Sequence, residues 1–285
     1  MHRLRIKHLT EYQFLNPVSL NPHRLLLRPR EGHDLRIESS LLNISPAYHI
    51  HWYRDVFDNS VAMVNFLETT QKLSIQSELV IQHYGDSSLN DMPEKLLHRA
   101  AFKYDSLECL ELSAFKQLVY RDEALLLRQW LYDFGIDVNT HQNLDMLLNL
   151  NQIIHRQFSY RIRTEAGVQS PMTTVSLGSG SCRDYATLMM EACRTMGFAS
   201  RFVSGYLHAP ATEAGNATTH AWTEIYIPEF GWQGFDPTSG CMTGNKHIAV
   251  AVARHPGSVS PVSGSYIGVA NHASMMIVNV QVNSI

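Results

Sequence analysis

The first 84 residues alternate apolar and polar side chains, and this pattern restricts the folds open to the chain more than any other feature. Proline, glycine, asparagine or aspartate separates the alternating segments. Because a period of two places one set of side chains on each face of a strand, the region predicts several antiparallel strands. We therefore expect an all-β, sandwich-like unit. The segments are LRIKHLTEYQF, HDLRIESSLLNIS, HIHWYRDVF, SVAMVNFLE and KLSIQSELVIQHY.

The pattern changes at GDSSLNDMPEK, residues 85–95, whose polar composition indicates a linker. Helical periodicity follows in EALLLRQWLYDFG, in the segment that Asn143 would cap, and in 182–196, which Gly197 ends. Strand-like segments complete the chain. We predict an α+β protein with an all-β domain at residues 1–88 and a second domain at 89–285. Its core would span about 150–240, with a C-terminal strand extension at 241–285.

Composition argues against several classes of partner. The net charge is −3 and charged residues make up 17% of the chain, so no basic surface for nucleic acid is indicated. No apolar run is long enough for a membrane span and the N-terminus does not resemble a signal peptide, so we expect a cytoplasmic protein without a membrane partner.

The four cysteines form no CxxC pair. His49 and His51 share one strand face without a third ligand, so no metal site is predicted.

The stretch LGSGSC, residues 177–182, leaves three interpretations open: a phosphate loop, a structural thiol or a nucleophile. It lacks the lysine of a Walker A loop and the third glycine of a dinucleotide loop. Ser181 is a good helix N-cap and Asp184 completes a capping box, which makes Cys182 the first helical residue. That position favours thiolate, but the helix dipole alone is too weak to activate a thiol without a base. Cys193, three turns further on, has apolar neighbours and is interpreted as a core residue.

A base and its partner are found downstream, in THAWTEIYIPEFGWQGFDPTSG. The segment predicts two strands joined by a turn at residues 228–231. Such a hairpin would bring His220 and Asp236 onto neighbouring strands, close enough for a hydrogen bond. Cysteine, histidine and aspartate would then supply a nucleophile, a base and the group that orients the base. Taken singly, His220 could be a packing residue and FDPT an Asx turn.

Three blocks of this chain resemble the transglutaminase-like superfamily, in its bacterial branch of proposed cysteine proteases. The blocks are SGSCRDYATLMMEACRTMGFASRFVSGYL, THAWTEIYI and GWQGFDPTSG. Cys182, His220 and Asp236 fall on the catalytic cysteine, histidine and aspartate of that family. The N-terminal β unit is similar to the β-rich region of bacterial members, although DVFDNS stands where a glycine-asparagine turn is more common. Arg183 stands where glutamine is also common.

The resemblance implies a papain-like α+β core in which Cys182 carries a thioester during acyl transfer. The backbone N–H of Cys182 is a candidate oxyanion donor. Trp222 and Arg183 are candidate pocket residues, and Trp222 could equally be a core residue. The expected substrate is a peptide or protein amide, with no cofactor. Hydrolysis is the leading hypothesis; amine-accepting cross-linking, a redox-sensing thiol and a non-catalytic scaffold are alternatives. The sequence names no partner for the N-terminal unit.

Overall fold

The structure is a computed structural model that describes residues 2–84, 102–138, 143–208, 219–268 and 274–285. The linker predicted at residues 85–95 lies outside the described residues, so the domain boundary at residue 88 stays a prediction.

Two antiparallel sheets form the N-terminal part of the molecule. In one sheet β1 is central, with β6 and then β3 on one side; in the other the order is β2, β5, β4. Apolar side chains of both sheets, such as Val18, Val64 and Ile75, share one core, so the sheets pack face to face. The predicted all-β unit is confirmed. The strands are β1 (His2–Leu20), β2 (His23–Leu25), β3 (Leu35–Ser45), β4 (Tyr48–Arg54), β5 (Ser60–Phe66) and β6 (Thr70–His83).

The second part is built on a five-stranded antiparallel sheet with the order β12, β11, β10, β9, β13. Its strands are β9 (Ser200–Leu207), β10 (Thr219–Ile227), β11 (Gly231–Asp236), β12 (Cys241–Met242) and β13 (His247–Ala253). A two-stranded parallel pair, β7 (Ser159–Tyr160) and β8 (Ser179–Gly180), precedes it in the chain.

One helix, α5 (Cys182–Thr195), is covered on nearly all sides. Met189 and Ala192 pack against the other helices, while Ala186 and Met190 share a core with the five-stranded sheet and the N-terminal strands. Among the described residues, no helix is long and apolar enough to cross a lipid bilayer. The other helices are α1 (Ser106–Glu111), α2 (Ala124–Asp133), α3 (Leu144–Gln157) and α4 (Pro171–Leu177).

The C-terminal segment crosses the predicted domain division. β16 (Ser274–Ser284) pairs antiparallel with β1 along residues 4–14. The short strands β14 (Val262–Ser263) and β15 (Tyr266–Ile267) pair with β2 and with the end of β1. The sequence grouped residues 241–285 with the second domain, but these three strands belong to the N-terminal sheets. Alternation shows that a strand needs a partner and does not specify which strand supplies it.

Buried charges hold the C-terminal end of α5. Nη1 of Arg194 lies 2.8 Å from Oε1 of Glu191, and neither side chain is exposed. The other carboxylate oxygen of Glu191 accepts from the N–H groups of Val119 and Tyr120. Because the pair is also hydrogen bonded to backbone groups, the helix is fixed at the end opposite Cys182.

Candidate active site

Cys182 begins α5, as the sequence predicted, and its side chain is buried. The capping box is present: Oδ2 of Asp184 accepts from the backbone N–H of Ser181 at 2.8 Å. A Cβ at Gly180 would lie 2.8 Å from the Cβ of Asp184, which explains the glycine just before the cap. The glycine and the cap together set the position of the thiol at the helix N-terminus.

The Asp184 carboxylate is fully buried and has partners that the sequence did not indicate. Nη1 of Arg163 donates to both of its oxygens, at 2.8 and 3.0 Å. The backbone N–H of Gln169 donates to Oδ1 at 2.7 Å. These residues lie on the connection between β7 and α4, where no motif marks them. The connection therefore anchors the first turn of α5 beside Cys182.

His220 and Asp236 lie on the adjacent strands β10 and β11, which form the predicted hairpin. The register pairs Thr223 with Phe235, and Nε2 of His220 lies 2.9 Å from Oδ2 of Asp236. The Cys182 side chain lies near the imidazole of His220 and helps to raise its pKa. Since Nε2 faces Asp236, Nδ1 is the ring nitrogen left for the thiol. The structure thus places His220 between the other two residues.

The electrostatics of the site favour charged forms of His220 and Asp236. Burial lowers the pKa of His220, but hydrogen bonds and charge from Asp236 and Cys182 outweigh it and raise the pKa to about 10. Burial raises the pKa of Asp236, but hydrogen bonds from His220 and His247 hold it well below its usual range. An imidazolium beside a carboxylate is therefore the stable arrangement at neutral pH.

His247, which the sequence analysis missed, also contacts Asp236. Its Nε2 lies 3.2 Å from the same carboxylate oxygen, Oδ2, that faces His220. The other oxygen, Oδ1, accepts from the backbone N–H of Thr238 at 2.9 Å, and Ser239 Oγ lies 3.1 Å from Oδ2. His247 begins a strand whose pattern only indicated burial, so no local signal showed that it reaches this carboxylate.

Trp222 and Arg183 were predicted as pocket residues, and this role stays a prediction; the structure shows what each side chain contacts. The buried indole of Trp222 lies beside His220, with ring centroids 6.2 Å apart, and packs edge-on against His247. It is thus a core residue that also covers the two imidazoles. The guanidinium of Arg183 instead donates to the backbone carbonyls of Arg163 and Glu165, at 3.3 Å each.

Tyr160 is a second neighbour of Cys182 that the sequence did not indicate. It lies on β7 directly opposite Gly180 of β8, two residues before Cys182 in the chain, and its side chain is about half exposed. Partial burial, followed by the influence of the nearby Cys182 side chain, raises the pKa of Tyr160 to about 12. The phenol therefore stays protonated at neutral pH and available as a donor.

Cys193 is fully buried in the core between α5 and the other helices, as predicted. Burial raises the pKa of its thiol far above the ordinary value, so it remains uncharged. The two remaining cysteines, Cys109 and Cys241, are exposed.

One group of side chains has the composition of a metal site. Ligand atoms of His220, Asp236 and His247 all lie within 4.8 Å of one another. However, Nδ1 of His247 accepts the N–H of Gly244 at 3.3 Å, which leaves the ring proton on Nε2. A nitrogen that carries a proton has no lone pair for a metal, so the hydrogen-bonding pattern disfavours an ion at this position.

Two family models match the chain, and Cys182, His220 and Asp236 all lie within the region that one of them matches. Residues 132–237 match the transglutaminase-like superfamily, and residues 4–82 match the bacterial transglutaminase-like N-terminal region. The chain therefore belongs to the transglutaminase-like superfamily and carries the bacterial N-terminal region.

Individual relatives extend this picture. A protein of Mycobacterium tuberculosis is 26% identical over 292 residues, covering 92% of this chain and 87% of its own length. The protein-glutamine gamma-glutamyltransferase of Pseudomonas aeruginosa is 33% identical over 99 residues, which are 31% of this chain and 14% of that protein. A proposed cysteine protease from Cytophaga hutchinsonii has the same fold, with a TM-score of 0.73 at 17% identity over 99% of this chain and 90% of its own.

Proposed function

We propose that the protein is a cysteine-dependent hydrolase that cleaves a peptide or other amide bond through a thioester on Cys182. The observation that carries this proposal is the position of His220 between Cys182 and Asp236. The histidine can exchange a proton with the thiol at one ring nitrogen while the carboxylate fixes the other. Cys182, His220 and Asp236 would form the catalytic triad.

In the acylation step, the Cys182 thiolate attacks the carbonyl carbon of the amide and His220 holds the proton from the thiol. The tetrahedral oxyanion would accept from the backbone N–H of Cys182, since N–H groups in the first turn of a helix have no intrahelical partner. His220 then gives its proton to the departing amine, and the C–N bond breaks to leave a thioester. Asp236 stabilises the imidazolium throughout.

In the deacylation step, His220 removes a proton from water, which attacks the thioester carbonyl. The C–S bond breaks, and the acid product leaves. The sulfur and the imidazolium return to their starting state, so the cycle consumes only water and the amide.

Burst kinetics with 4-nitrophenyl acetate test the nucleophile. We expect rapid release of about one equivalent of 4-nitrophenolate, followed by slower turnover, because acylation of Cys182 precedes hydrolysis of the thioester. Cys182→Ser should lose the burst, whereas Cys241→Ser, a matched change of an exposed thiol, should retain it. A burst of equal size in Cys182→Ser would contradict the proposal.

Alkylation by iodoacetamide tests the activation of the thiol separately from any substrate. Mass spectrometry should show that at pH 6 Cys182 reacts faster than the exposed thiols Cys109 and Cys241, because the imidazolium of His220 stabilises the thiolate. His220→Gln should remove this advantage. If Cys182 instead reacts at the rate of Cys241 in both proteins, the thiol is not activated and a non-catalytic scaffold role is favoured.

Transfer to an amine is the second candidate, because the similar segment of the Pseudomonas aeruginosa relative belongs to a protein named as a glutamyltransferase. The same thioester would then be attacked by a primary amine in place of water. Adding monodansylcadaverine to the 4-nitrophenyl acetate reaction distinguishes the two. Acetate alone as the product supports hydrolysis, and acetylated amine supports transfer.

A further inference from the structure

We propose that His247 is a positioning residue for the reaction. It holds the carboxylate of Asp236 in the orientation in which that carboxylate accepts the hydrogen bond from His220. This inference rests on the proposed function of Cys182, His220 and Asp236, and it adds a residue that lies outside that triad.

The two imidazoles meet at a single carboxylate oxygen. Nε2 of His220 and Nε2 of His247 lie 2.9 and 3.2 Å from Oδ2 of Asp236. The two rings have centroids 6.0 Å apart. An oxygen that receives hydrogen bonds from two sides has little freedom to rotate away from either. The bond from His247 therefore limits movement of Asp236 relative to His220.

The backbone fixes the tautomer of His247. The N–H of Gly244 points at Nδ1 over 3.3 Å, and that nitrogen must therefore be the acceptor. The ring proton is then on Nε2, where it is donated to Asp236. This donor stabilises the carboxylate from a position that His220 does not occupy.

Packing fixes the ring of His247 as well as its tautomer. The indole of Trp222 meets the imidazole edge-on, with centroids 5.2 Å apart, and only part of the His247 side chain is exposed. The backbone carbonyl of His247 lies 3.3 Å from Nε2 of His83 in the N-terminal sheet. The ring thus approaches Asp236 from a separate strand, β13, three positions across the sheet from β11.

Two substitutions separate a donor role from a packing role. His247→Phe keeps a ring against Trp222 but has no donor for Asp236. His247→Gln has a side-chain amide whose Nε2 can occupy the donor position. We expect kcat for 4-nitrophenyl acetate to fall by about 10- to 100-fold in His247→Phe with KM little changed, the effect of losing a hydrogen bond to a charged group. His247→Gln should recover most of the loss.

The carboxyl of Asp236 gives a readout that does not need activity. Its ¹³Cγ chemical shift at pH 7 should move in His247→Phe relative to the wild-type protein, because one of the hydrogen-bond donors to the carboxylate is lost. The other titratable groups near it, His220, Cys182 and Tyr160, are unchanged in this comparison. In His247→Gln the chemical shift should stay close to the wild-type value.

The outcomes distinguish this inference from the proposed function. If the wild-type protein shows the burst but His247→Phe keeps both kcat and the Asp236 ¹³Cγ chemical shift, the positioning role is overturned and the proposed function stands. If the wild-type protein shows no burst, the proposed function fails, and the Asp236 chemical shift still decides whether His247 holds the carboxylate. Equal losses of kcat in His247→Phe and His247→Gln, with no change in the chemical shift, would also overturn the inference.

Discussion

His8 of β1 and Tyr206 of β9 are hydrogen bonded across the boundary between the N-terminal sheet and the five-stranded sheet. Nδ1 of His8 lies 3.0 Å from the hydroxyl of Tyr206, and Nε2 lies 3.0 Å from Oγ1 of Thr10. Both rings are buried. The strand neighbours of His8, Ser77 and Val280, carry no charge. Within the part of the chain that the structure describes, a positive charge on this imidazole would therefore have no compensating partner.

Stability should fall as the pH falls from neutral, because burial lowers the pKa of His8 to about 4. The unfolded chain, in which histidine has its ordinary pKa of about 6.5, takes up the proton first. The contribution of His8 is therefore complete above about pH 6.5 and decreases between there and about pH 4. Urea unfolding should show a loss of about 2 kcal/mol from this group between pH 7 and pH 5.

The control for His8 is a change at an exposed histidine. His8→Gln should reduce the difference in unfolding free energy between pH 7 and pH 5, and His33→Gln should leave it unchanged. If wild type and His8→Gln have the same pH dependence, the buried histidine does not control acid stability.

Asp236→Asn should abolish most of the activity. The neutral amide cannot stabilise the imidazolium of His220, and with its oxygen facing the two imidazoles its NH₂ group would face the N–H donor of Thr238. A loss of about 10⁴-fold accompanies the corresponding change in serine proteases, so we expect a decrease of about 10²- to 10⁴-fold in kcat for 4-nitrophenyl acetate. Asp122→Asn, at an exposed position, should behave as the wild type. Activity of Asp236→Asn within a factor of three of wild type would exclude Asp236 from the mechanism.

Asp58 occupies a backbone conformation that favours glycine, with φ at 60°. Asp58 lies in the segment DVFDNS, residues 55–60. Asp58→Gly should raise the free energy of unfolding by up to about 1 kcal/mol, because relief of left-handed strain exceeds the added entropy of the unfolded chain. Asp58→Ala should lower it by about 1 kcal/mol. Both changes remove the ion pair with Arg54. The difference between the free energies of unfolding of the two variants, measured by urea denaturation, therefore reflects the backbone effect alone.

Gly205→Ala should strongly destabilise the five-stranded sheet. A Cβ there would lie 2.2 Å from the carbonyl oxygen of Ile248 and 2.7 Å from Cη2 of Trp222. Because one obstacle is backbone, a side-chain rotation cannot relieve it, and we expect a cost of about 3 kcal/mol or more. Gly167→Ala, where φ is +75° and an added Cβ would meet no described atom within 4 Å beyond its chain neighbours, should cost only about 1–2 kcal/mol. Similar unfolding midpoints for the two variants would contradict this reasoning.

The sequence predicted most elements of this fold because their signals are local. Alternation located the long strands β1, β3 and β6, and helical periodicity with Ser181 and Asp184 located the start of α5. The hairpin between β10 and β11 followed from a turn signal between two strands, and it brought His220 and Asp236 together. Each of these features is decided by residues within a few positions of one another along the chain.

Only the tertiary structure decided which distant segments meet. β16 pairs with β1, although about 250 residues separate the two strands. The sequence could not predict this pairing, because alternation indicates that a strand needs a partner but not which strand it is. In the same way His247 reaches Asp236 from β13, and Tyr160 reaches Cys182 from β7. The sequence by itself predicted most of the elements and singled out Cys182, His220 and Asp236, the residues of the proposed triad. The groups around those side chains were decided by strand order and packing, which depend on the whole chain.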